Sequence, residues 1–194
     1  MAYPCEQLSD GLVMGKALDD RAGCAVLIKT LEALAGGGGG LDGTLVCAFT
    51  IGEETGLRGA RTAAYQIEPD VALAIEGTIA ADLPGVSGPK RVTSLGRGPA
   101  ITIADRSMVV RPQLVQALER VAETQGIPYQ HKRPAYGGTD AGAIHTSGRG
   151  VLAGSVSVPC RYIHSPLSLL RVSDFEATVR LATAFVREVP RLFE

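Results

Sequence analysis

Two adjacent carboxylates, Glu53 and Glu54, carry the most chemical information in this sequence. They follow an apolar Phe-Thr-Ile run at residues 49–51 that predicts a strand, and Gly52 and Gly56 allow the chain to turn beside them. Two neighbouring acids at the end of a strand are costly to hold together unless a cation or a shared proton separates their roles. The pattern therefore predicts one carboxylate that binds a metal ion and a neighbour that transfers protons.

Three further polar clusters fall at predicted element boundaries. Asp19 and Asp20 open the first predicted helix, Glu76 follows an apolar strand, and His164 follows a β-branched strand at 151–158. Taken alone, the aspartates suit a helix cap, the glutamates a solvated turn, and the histidine a structural role. Taken together they predict a shared crevice, because strand carboxyl ends border the ligand site of an open α/β sheet. Carboxylates with imidazole suit Zn²⁺, Co²⁺ or Mn²⁺. A carboxylate shared by two metals about 3.5–4 Å apart is typical of two-metal hydrolases.

The elements that must position these residues alternate along the chain. Strands are predicted at residues 44–51, 71–75, 100–103, 129–133 and 151–158. Helices are predicted at residues 22–34, 57–65, 112–124, 139–145 and 173–189, the last opened by a Ser-Asp-Phe-Glu capping box. Residues 1–18 are expected to be irregular, the glycines at 36–40 to form a turn, and residues 80–99 a long loop. Alternating strands and helices predict one layered α/β domain with a mainly parallel sheet.

Composition excludes several classes of partner. A net charge of −1 over 194 residues gives no electrostatic reason to expect nucleic acid or an anionic membrane. Trp is absent, so neither a base-stacking nor a sugar-stacking surface is indicated. No apolar run approaches the ~20 residues that span a bilayer. The four cysteines form no CxxC pair, and Cys24 and Cys47 are expected to be buried free thiols, which fits the cytoplasm.

Five ordered motifs resemble the M42 family of metallo-aminopeptidases, the glutamyl and tetrahedral aminopeptidase group, some members of which carry an endoglucanase or cellulase label. The motifs lie at residues 15–23 (Gly-Lys-Ala-Leu-Asp-Asp-Arg-Ala-Gly), 53–56 (Glu-Glu-Thr-Gly), 76–78 with 81–85 (Glu-Gly-Thr and Ala-Asp-Leu-Pro-Gly), 137–142 (Gly-Gly-Thr-Asp-Ala-Gly) and 162–166 (Tyr-Ile-His-Ser-Pro). They cover nearly the whole chain. The resemblance implies a three-layer α/β/α sandwich, zinc-peptidase-like, with a mostly parallel mixed sheet.

The resemblance also implies a role for each residue. Asp19 would bridge two metal ions, with Asp20 beside it across a cis peptide. Glu54 and His164 would bind one metal, and Glu76, where many relatives have Asp, would bind the other. Glu53 would be the general base in the removal of N-terminal residues from peptides. Thr139 and Asp140 would orient the site without binding metal, although a helix N-cap is the alternative for this pair.

The chain departs from the family pattern at its start. Family members carry a His-x-Asp segment and a small β-rich domain before the Asp-Asp motif, which here already stands at residue 19. The histidines at 131 and 145 match no family motif and are expected to be structural. The sequence therefore predicts a partial catalytic domain with one intact metal site and one that lacks its imidazole. An apolar sheet edge would be exposed, which favours self-association.

Three alternatives remain open from the sequence. The first is a non-catalytic remnant that serves as an assembly or binding module. The missing ligand favours this alternative, and the retained acids oppose it. Glycoside hydrolysis by paired glutamates is disfavoured, because adjacent residues rarely give carboxyls about 5–9.5 Å apart across a sugar. A serine hydrolase is weaker still, because Ser165 beside His164 lacks a Gly-x-Ser-x-Gly context.

Overall fold

The computed structural model describes residues 5–36, 41–86, 88–132 and 136–193. Its strands are β1 (Glu6–Gln7), β2 (Leu12–Gly15), β3 (Val71–Ile79), β4 (Ala100–Thr102), β5 (Gln130–Lys132), β6 (Leu152–Arg161) and β7 (Ser168–Arg171). Its helices are α1 (Leu18–Ala35), α2 (Arg58–Ile67), α3 (Pro112–Thr124), α4 (Asp140–Ile144) and α5 (Val172–Glu188), with short 3-10 turns at Ser9–Gly11, Gly88–Lys90 and Val189–Leu192.

The strands form one mixed sheet around β6. Strand β3 pairs parallel with β6 over nine residues, from Val71 opposite Leu152 to Ile79 opposite Cys160. The other edge of β6 pairs antiparallel with β4 and with β7, while β5 extends the sheet parallel to β4. Strands β2 and β1 follow β7 in antiparallel order. This mixed sheet, whose longest pairing is the parallel one between β3 and β6, confirms the predicted α/β class.

Helices cover both faces of the sheet. Helix α5 contacts both α1 and α3, and these three helices cover one face. Helices α2 and α4 contact each other, and α4 contacts β3 and β6 from the opposite face. The β-branched residues Val156 and Val158 of β6 are fully buried between these layers. On the face of α3 and α5, Leu114, Leu118 and Phe185 are among the largest buried side chains. The arrangement is the three-layer sandwich that the sequence predicts.

Most predicted elements are confirmed, with boundaries that move by a few residues. Helix α3 begins at Pro112, as expected from a proline at the first helical position. Strands β3 and β6 are longer than predicted, and the short strands β1, β2 and β7 were not predicted at all. The predicted turn at 37–40 and the end of the predicted strand at residue 133 lie outside the described residues.

The predicted strand at 44–51 is wrong. Residues 44–50 form no ladder with any strand of the described chain, and Val46 and Phe49 are half exposed. The apolar pattern is that of a strand, but a strand needs a neighbour to satisfy its backbone N–H and C=O groups. A groove separates this segment from β3, so the nearest sheet edge is out of reach. Cys24 and Cys47 line this groove and are therefore half-buried free thiols, not fully buried ones.

The predicted capping box of the last helix is also wrong. Arg171 occupies the cap position of α5, and no side chain caps the helix. The buried carboxylate of Asp174 instead accepts hydrogen bonds from the backbone N–H of Gly96 at 2.7 Å and of Gly98 at 2.8 Å. This carboxylate holds the 80–99 loop against the helix.

Candidate metal centre

The Asp19–Asp20 turn places two carboxylates at the start of α1. The backbone at Ala17 is left-handed with φ 52°, and the Asp19–Asp20 peptide bond is cis. Asp20 Oδ1 accepts a hydrogen bond from the Gly23 N–H at 3.0 Å. Close packing against β3 explains one nearby glycine, because a Cβ on Gly77 would stand 2.8 Å from the Asp19 Cβ.

His164 lies in the connection between β6 and β7 and faces the aspartates. Its Nε2 is 3.0 Å from Glu54 Oε1 and 3.4 Å from Asp19 Oδ2. The backbone at Tyr162 and His164 is left-handed, with φ 61° and 59°, and strained non-glycine residues of this kind concentrate at functional sites. The Ser165 Oγ lies 2.7 Å from the backbone oxygens of both Tyr162 and Leu167 and shares its one proton between them, which gives this serine a structural role in the turn.

These three side chains form a compact donor set. Asp19, Glu54 and His164 each offer one ligand atom, and the three atoms lie within 4.8 Å of one another. The imidazole is 62% exposed and the Glu54 side chain 60%, so the cluster opens to solvent on one side. Two carboxylates and an imidazole at this spacing fit a borderline divalent ion.

Glu53 lies beside this cluster but is not one of its three possible metal ligands. The Glu53 carbonyl accepts hydrogen bonds from the N–H groups of Gly56 at 3.0 Å and Leu57 at 2.9 Å, which closes the turn before α2. Desolvation raises the pKa of the Glu53 carboxyl to about 7, and the charges of Glu54 and Asp140 act in the same direction. A carboxyl with this pKa can hold or release a proton near neutral pH.

Thr139 and Asp140 lie behind the Glu53 loop. The Thr50 hydroxyl donates to Asp140 Oδ2 at 2.6 Å, which ties the start of α4 to the chain just before Glu53. Thr139 is fully buried at the cap position of α4, but its side chain makes no capping hydrogen bond. Thr50 is thus the hydrogen-bond partner of Asp140, and the sequence offered no signal for Thr50 itself.

The acids of this centre crowd one another. Burial and the charge of Glu54 raise the pKa of Asp19, despite the opposing effect of His164. Burial and the charge of Asp19 raise the pKa of Asp20 to about 8, although the residue faces the open groove. Carboxyls held together in this way favour either protonation or a bound cation. The crowding is a second observation that fits a divalent metal ion.

Glu76 lies apart from the donor set. It stands on β3, its pKa is raised well above the usual range by burial, and the nearby ammonium of Lys132 works in the opposite direction. Among the described residues, the three-ligand cluster does not include Glu76. Lys132 is 8% exposed at the end of β5, and sequence reasoning missed it.

The remaining histidines take part in local contacts. His131 Nε2 is 2.7 Å from Glu119 Oε1, and the His145 ring contacts the Gly142 carbonyl oxygen at 3.2 Å. Neither side chain belongs to the donor set that the described residues form. The structural roles predicted for both agree with these contacts.

Comparisons with known proteins agree with this geometry. A family model described as M42 glutamyl aminopeptidase matches residues 1–181. The solved structure of an aminopeptidase from Desulfurococcus kamchatkensis shares 40% identity with a TM-score of 0.89, covering 98% of this chain and 53% of that one. The TET1 peptidase of Pyrococcus horikoshii, which assembles into a tetrahedron or a large octahedral shell, shares 32% identity with a TM-score of 0.80, covering 95% of this chain and 53% of that one.

The match covers only part of each relative. The lysyl aminopeptidase of Pyrococcus furiosus is 34% identical over 173 residues, which is 89% of this chain and 47% of the relative. The chain thus spans about half the length of the curated relatives it matches. In the described ranges, no helix is long and apolar enough to cross a membrane.

Proposed function

Because this chain belongs to the M42 glutamyl aminopeptidase family, we propose that it carries the metal-binding and proton-transferring part of an aminopeptidase. The observation that supports this most is the convergence of Asp19, Glu54 and His164 within 4.8 Å, with Glu53 beside them. The substrate would be a peptide with a free N-terminus. The proposal concerns the reaction, and the preferred N-terminal residue is left open.

Asp19, Glu54 and His164 would hold one divalent ion, Zn²⁺, Co²⁺ or Mn²⁺. When bound, such an ion polarises a peptide carbonyl and acidifies water. The open side of the cluster, where His164 and Glu54 are exposed, leaves room for the peptide to approach. The left-handed backbone at His164 holds its imidazole toward the two carboxylates.

Glu53 would move the proton. As a carboxylate it accepts a proton from the attacking water, and as a carboxylic acid it gives that proton to the leaving amine. The C–O bond to water forms first, and the C–N bond then breaks as the amine takes the proton, so the protons balance without another group. A pKa near 7 suits both steps, because the base and the acid form are then similar in free energy. Asp140 and Thr50 would hold the loop that carries Glu53.

Glu76 and Asp20 would face the substrate's α-amino group. Both side chains lie at the end of the groove beside the donor set. Burial, with a smaller effect of neighbouring carboxylates, raises the pKa values of both acids, and an ammonium group placed there would favour their charged forms. We further propose that Asp19 and Glu76 form only a weak second metal site, since the intact family would add an imidazole there and Lys132 already supplies positive charge.

Two wider properties belong to the same proposal. Four free cysteines fit a cytoplasmic location, where thiols stay reduced. Self-association is supported by the Pyrococcus horikoshii relative, which forms closed shells. Here an exposed sheet edge would favour a homo-oligomer of a different kind.

The test is an aminopeptidase assay on chromogenic amino-acid anilides with Zn²⁺, Co²⁺ or Mn²⁺ added in turn. Glu53→Gln is expected to lower kcat by about 10²–10⁴-fold while metal binding persists, because it removes general acid–base catalysis. Glu176→Gln is the matched control, since Glu176 is an exposed acid on α5. Activity that survives Glu53→Gln would remove the proposed base. A protein that binds metal but releases no product with any of the three ions would favour the non-catalytic binding module.

A further inference from the structure

Asp82 and Arg161 form a two-point ion pair near the start of the turn that carries His164. Arg161 is the last residue of β6 and stands three residues before His164. Its Nε donates to Asp82 Oδ1 at 2.7 Å, and its Nη2 donates to Asp82 Oδ2 at 3.0 Å. A guanidinium bonded to both oxygens of a carboxylate is fixed in direction as well as in position. Asp82 belongs to the Ala-Asp-Leu-Pro-Gly motif at residues 81–85, which supplies no ligand to the donor set that the described residues form.

The carboxylate of Asp82 is itself held in place by the loop that follows β3. Its Oδ2 also accepts a hydrogen bond from the Leu95 N–H at 3.0 Å. The Thr93 hydroxyl donates to the Ile79 carbonyl at 2.7 Å, which fastens the same loop to the end of β3. Burial acts to raise the pKa of Asp82, but the hydrogen bonds from Arg161 and Leu95 outweigh it and lower that pKa below its usual value. The Asp82 side chain is 13% exposed, so the pair is shielded from water far more than an ordinary surface ion pair.

The turn that carries His164 needs such an anchor. The backbone at Tyr162 and His164 is left-handed, and residues other than glycine keep that conformation only where the surrounding structure enforces it. The imidazole is largely exposed, so packing around the ring does not supply the constraint. Arg161 pairs with Leu169 of β7 where β6 ends. The turn therefore starts directly from the residue that Asp82 holds.

The other end of the turn is anchored to the strand that leads to Asp19. Ser168 opens β7 and pairs with Gly15 of β2, and its hydroxyl donates to the Gly15 carbonyl at 3.2 Å. Gly15 stands four residues before Asp19, a member of the donor set. Between the two ends, Ile163 packs against the hydrophobic core. The turn at 162–167 thus runs between two fixed points, and the ion pair is one of them.

We propose that Asp82 and Arg161 are positioning residues for His164. The pair fixes the direction in which β6 ends, and it thereby keeps the imidazole Nε2 at 3.0 Å from Glu54 and 3.4 Å from Asp19. The inference rests on the proposed function, in which His164 holds a divalent ion together with those two carboxylates. Neither member of the pair would bind the ion or the peptide, since both act through the turn.

The first test is the Zn²⁺ affinity of the folded full chain, measured by isothermal titration. Arg161→Lys keeps the positive charge but loses the planar fork, and Asp82→Asn loses the charged acceptor. Each is expected to weaken the first equivalent at least about tenfold, because partners that orient a metal ligand contribute about 10–100-fold. The double variant should stay within about twofold of the weaker single variant, since both changes remove the same contact. Arg191→Lys is the matched control, because Arg191 pairs with Glu188 at 2.7 Å just after α5, and it should leave the affinity unchanged.

A second measurement, made without metal, separates a lost anchor from a lost metal site. Backbone ¹⁵N order parameters of residues 162–167 are expected to fall from about 0.85 towards 0.6 in Asp82→Asn and Arg161→Lys, and to stay high in Arg191→Lys. A variant that merely lowered the free energy of unfolding would change neither these values nor the Zn²⁺ affinity of the folded protein. Unchanged order parameters, or a Zn²⁺ affinity within about twofold of wild type in both variants, would overturn the positioning role. Zn²⁺ binding that survives His164→Ala would instead remove the proposed function, and a fall in the order parameters would then still support the anchoring of the turn.

Discussion

The two sides of the acidic centre differ in how they balance their charge. On one side Asp19, Glu54 and His164 bring two carboxylates and an imidazole within 4.8 Å, and the imidazole is open to solvent. On the other side Glu76 stands on β3, where burial raises the pKa of its carboxyl and the ammonium of Lys132 opposes that shift only in part. A donor set that lacks a protein cation has reason to bind a metal ion, whereas an acid with a lysine nearby has less. The geometry of the described residues thus supports metal binding by Asp19, Glu54 and His164 more strongly than by Glu76.

Removing the imidazole should have the largest effect on the metal-binding side. His164→Ala is expected to weaken the first equivalent of Zn²⁺ or Co²⁺ by more than about 100-fold, because even outer partners of a metal ligand contribute 10–100-fold. Isothermal titration of metal-free protein measures both affinity and stoichiometry. His145→Ala is the control, since that ring contacts only a nearby carbonyl oxygen. Undiminished binding in His164→Ala would place the metal elsewhere.

Adding a methyl group beside the Asp19 turn should weaken metal binding on the same side, because it disturbs the packing there. Gly77→Ala would place a methyl group 2.8 Å from the Asp19 Cβ, and forced overpacking typically costs about 1–3 kcal/mol. We expect a lower free energy of unfolding in urea together with weaker metal binding. Gly43→Ala serves as a comparison, because no atom lies within 4 Å of the added methyl group, although its backbone has φ 130°. Equal metal affinity in Gly77→Ala and wild type would show that the turn adapts.

The charge imbalance itself should appear in the pH dependence of stability. The folded state raises the pKa of Asp20 from 3.8 to about 8 and of Glu53 from 4.5 to about 7. Between those values the folded state binds more protons than the unfolded state, so stability falls as pH rises. Metal-free protein is therefore expected to melt at a lower temperature at pH 8 than at pH 5, and saturating Zn²⁺ should remove most of that difference.

The control for this pH effect is Asp20→Asn. It should flatten the dependence, because an amide replaces the carboxyl whose pKa the folded state raises from 3.8 to about 8. A melting temperature of the metal-free protein that rises between pH 5 and pH 8 would contradict the crowding of these acids. Calorimetry at several pH values measures all of these melting temperatures directly.

The smallest effect is expected on the Glu76 side. Glu76→Gln should change the affinity of the first metal equivalent by less than about twofold, well under 1 kcal/mol, because Glu76 lies outside the donor set. Isothermal titration again gives the result. Two tight equivalents in wild type, with one lost in Glu76→Gln, would contradict this expectation and show that both sides bind metal.

What the sequence predicted well depends on local patterns. Helix α3 was predictable because Pro112 opens it and apolar residues recur at helical spacing. Asp19, Glu54 and His164 were predictable as a cluster because the sequence places each of them at a predicted element boundary, although the strand predicted before Glu54 is absent. Their mutual distances, and the left-handed backbone that orients His164, could not be read from residue types.

What the sequence predicted badly depends on partners far along the chain. Residues 44–51 have the composition of a strand, but a ladder requires a neighbouring strand, and in the described chain none is within reach. Asp174 fits a helix-capping pattern, yet the backbone of Gly96 and Gly98 claims its carboxylate from 76 residues or more away. Lys132 matters to the site because its charge lowers the pKa of Glu76, which lies on another strand.

Two cysteine thiols line the groove, so their chemical reactivity can report on its accessibility. Cys24 on α1 and Cys47 on the facing segment both line it, whereas Cys160 is fully buried and Cys5 is exposed outside it. Burial raises the pKa of both groove thiols, so mildly alkaline buffer would be needed for a maleimide dye to react with them. Their labelling rate relative to that of exposed Cys5 would then measure how accessible the groove is to solvent, with no mutation required.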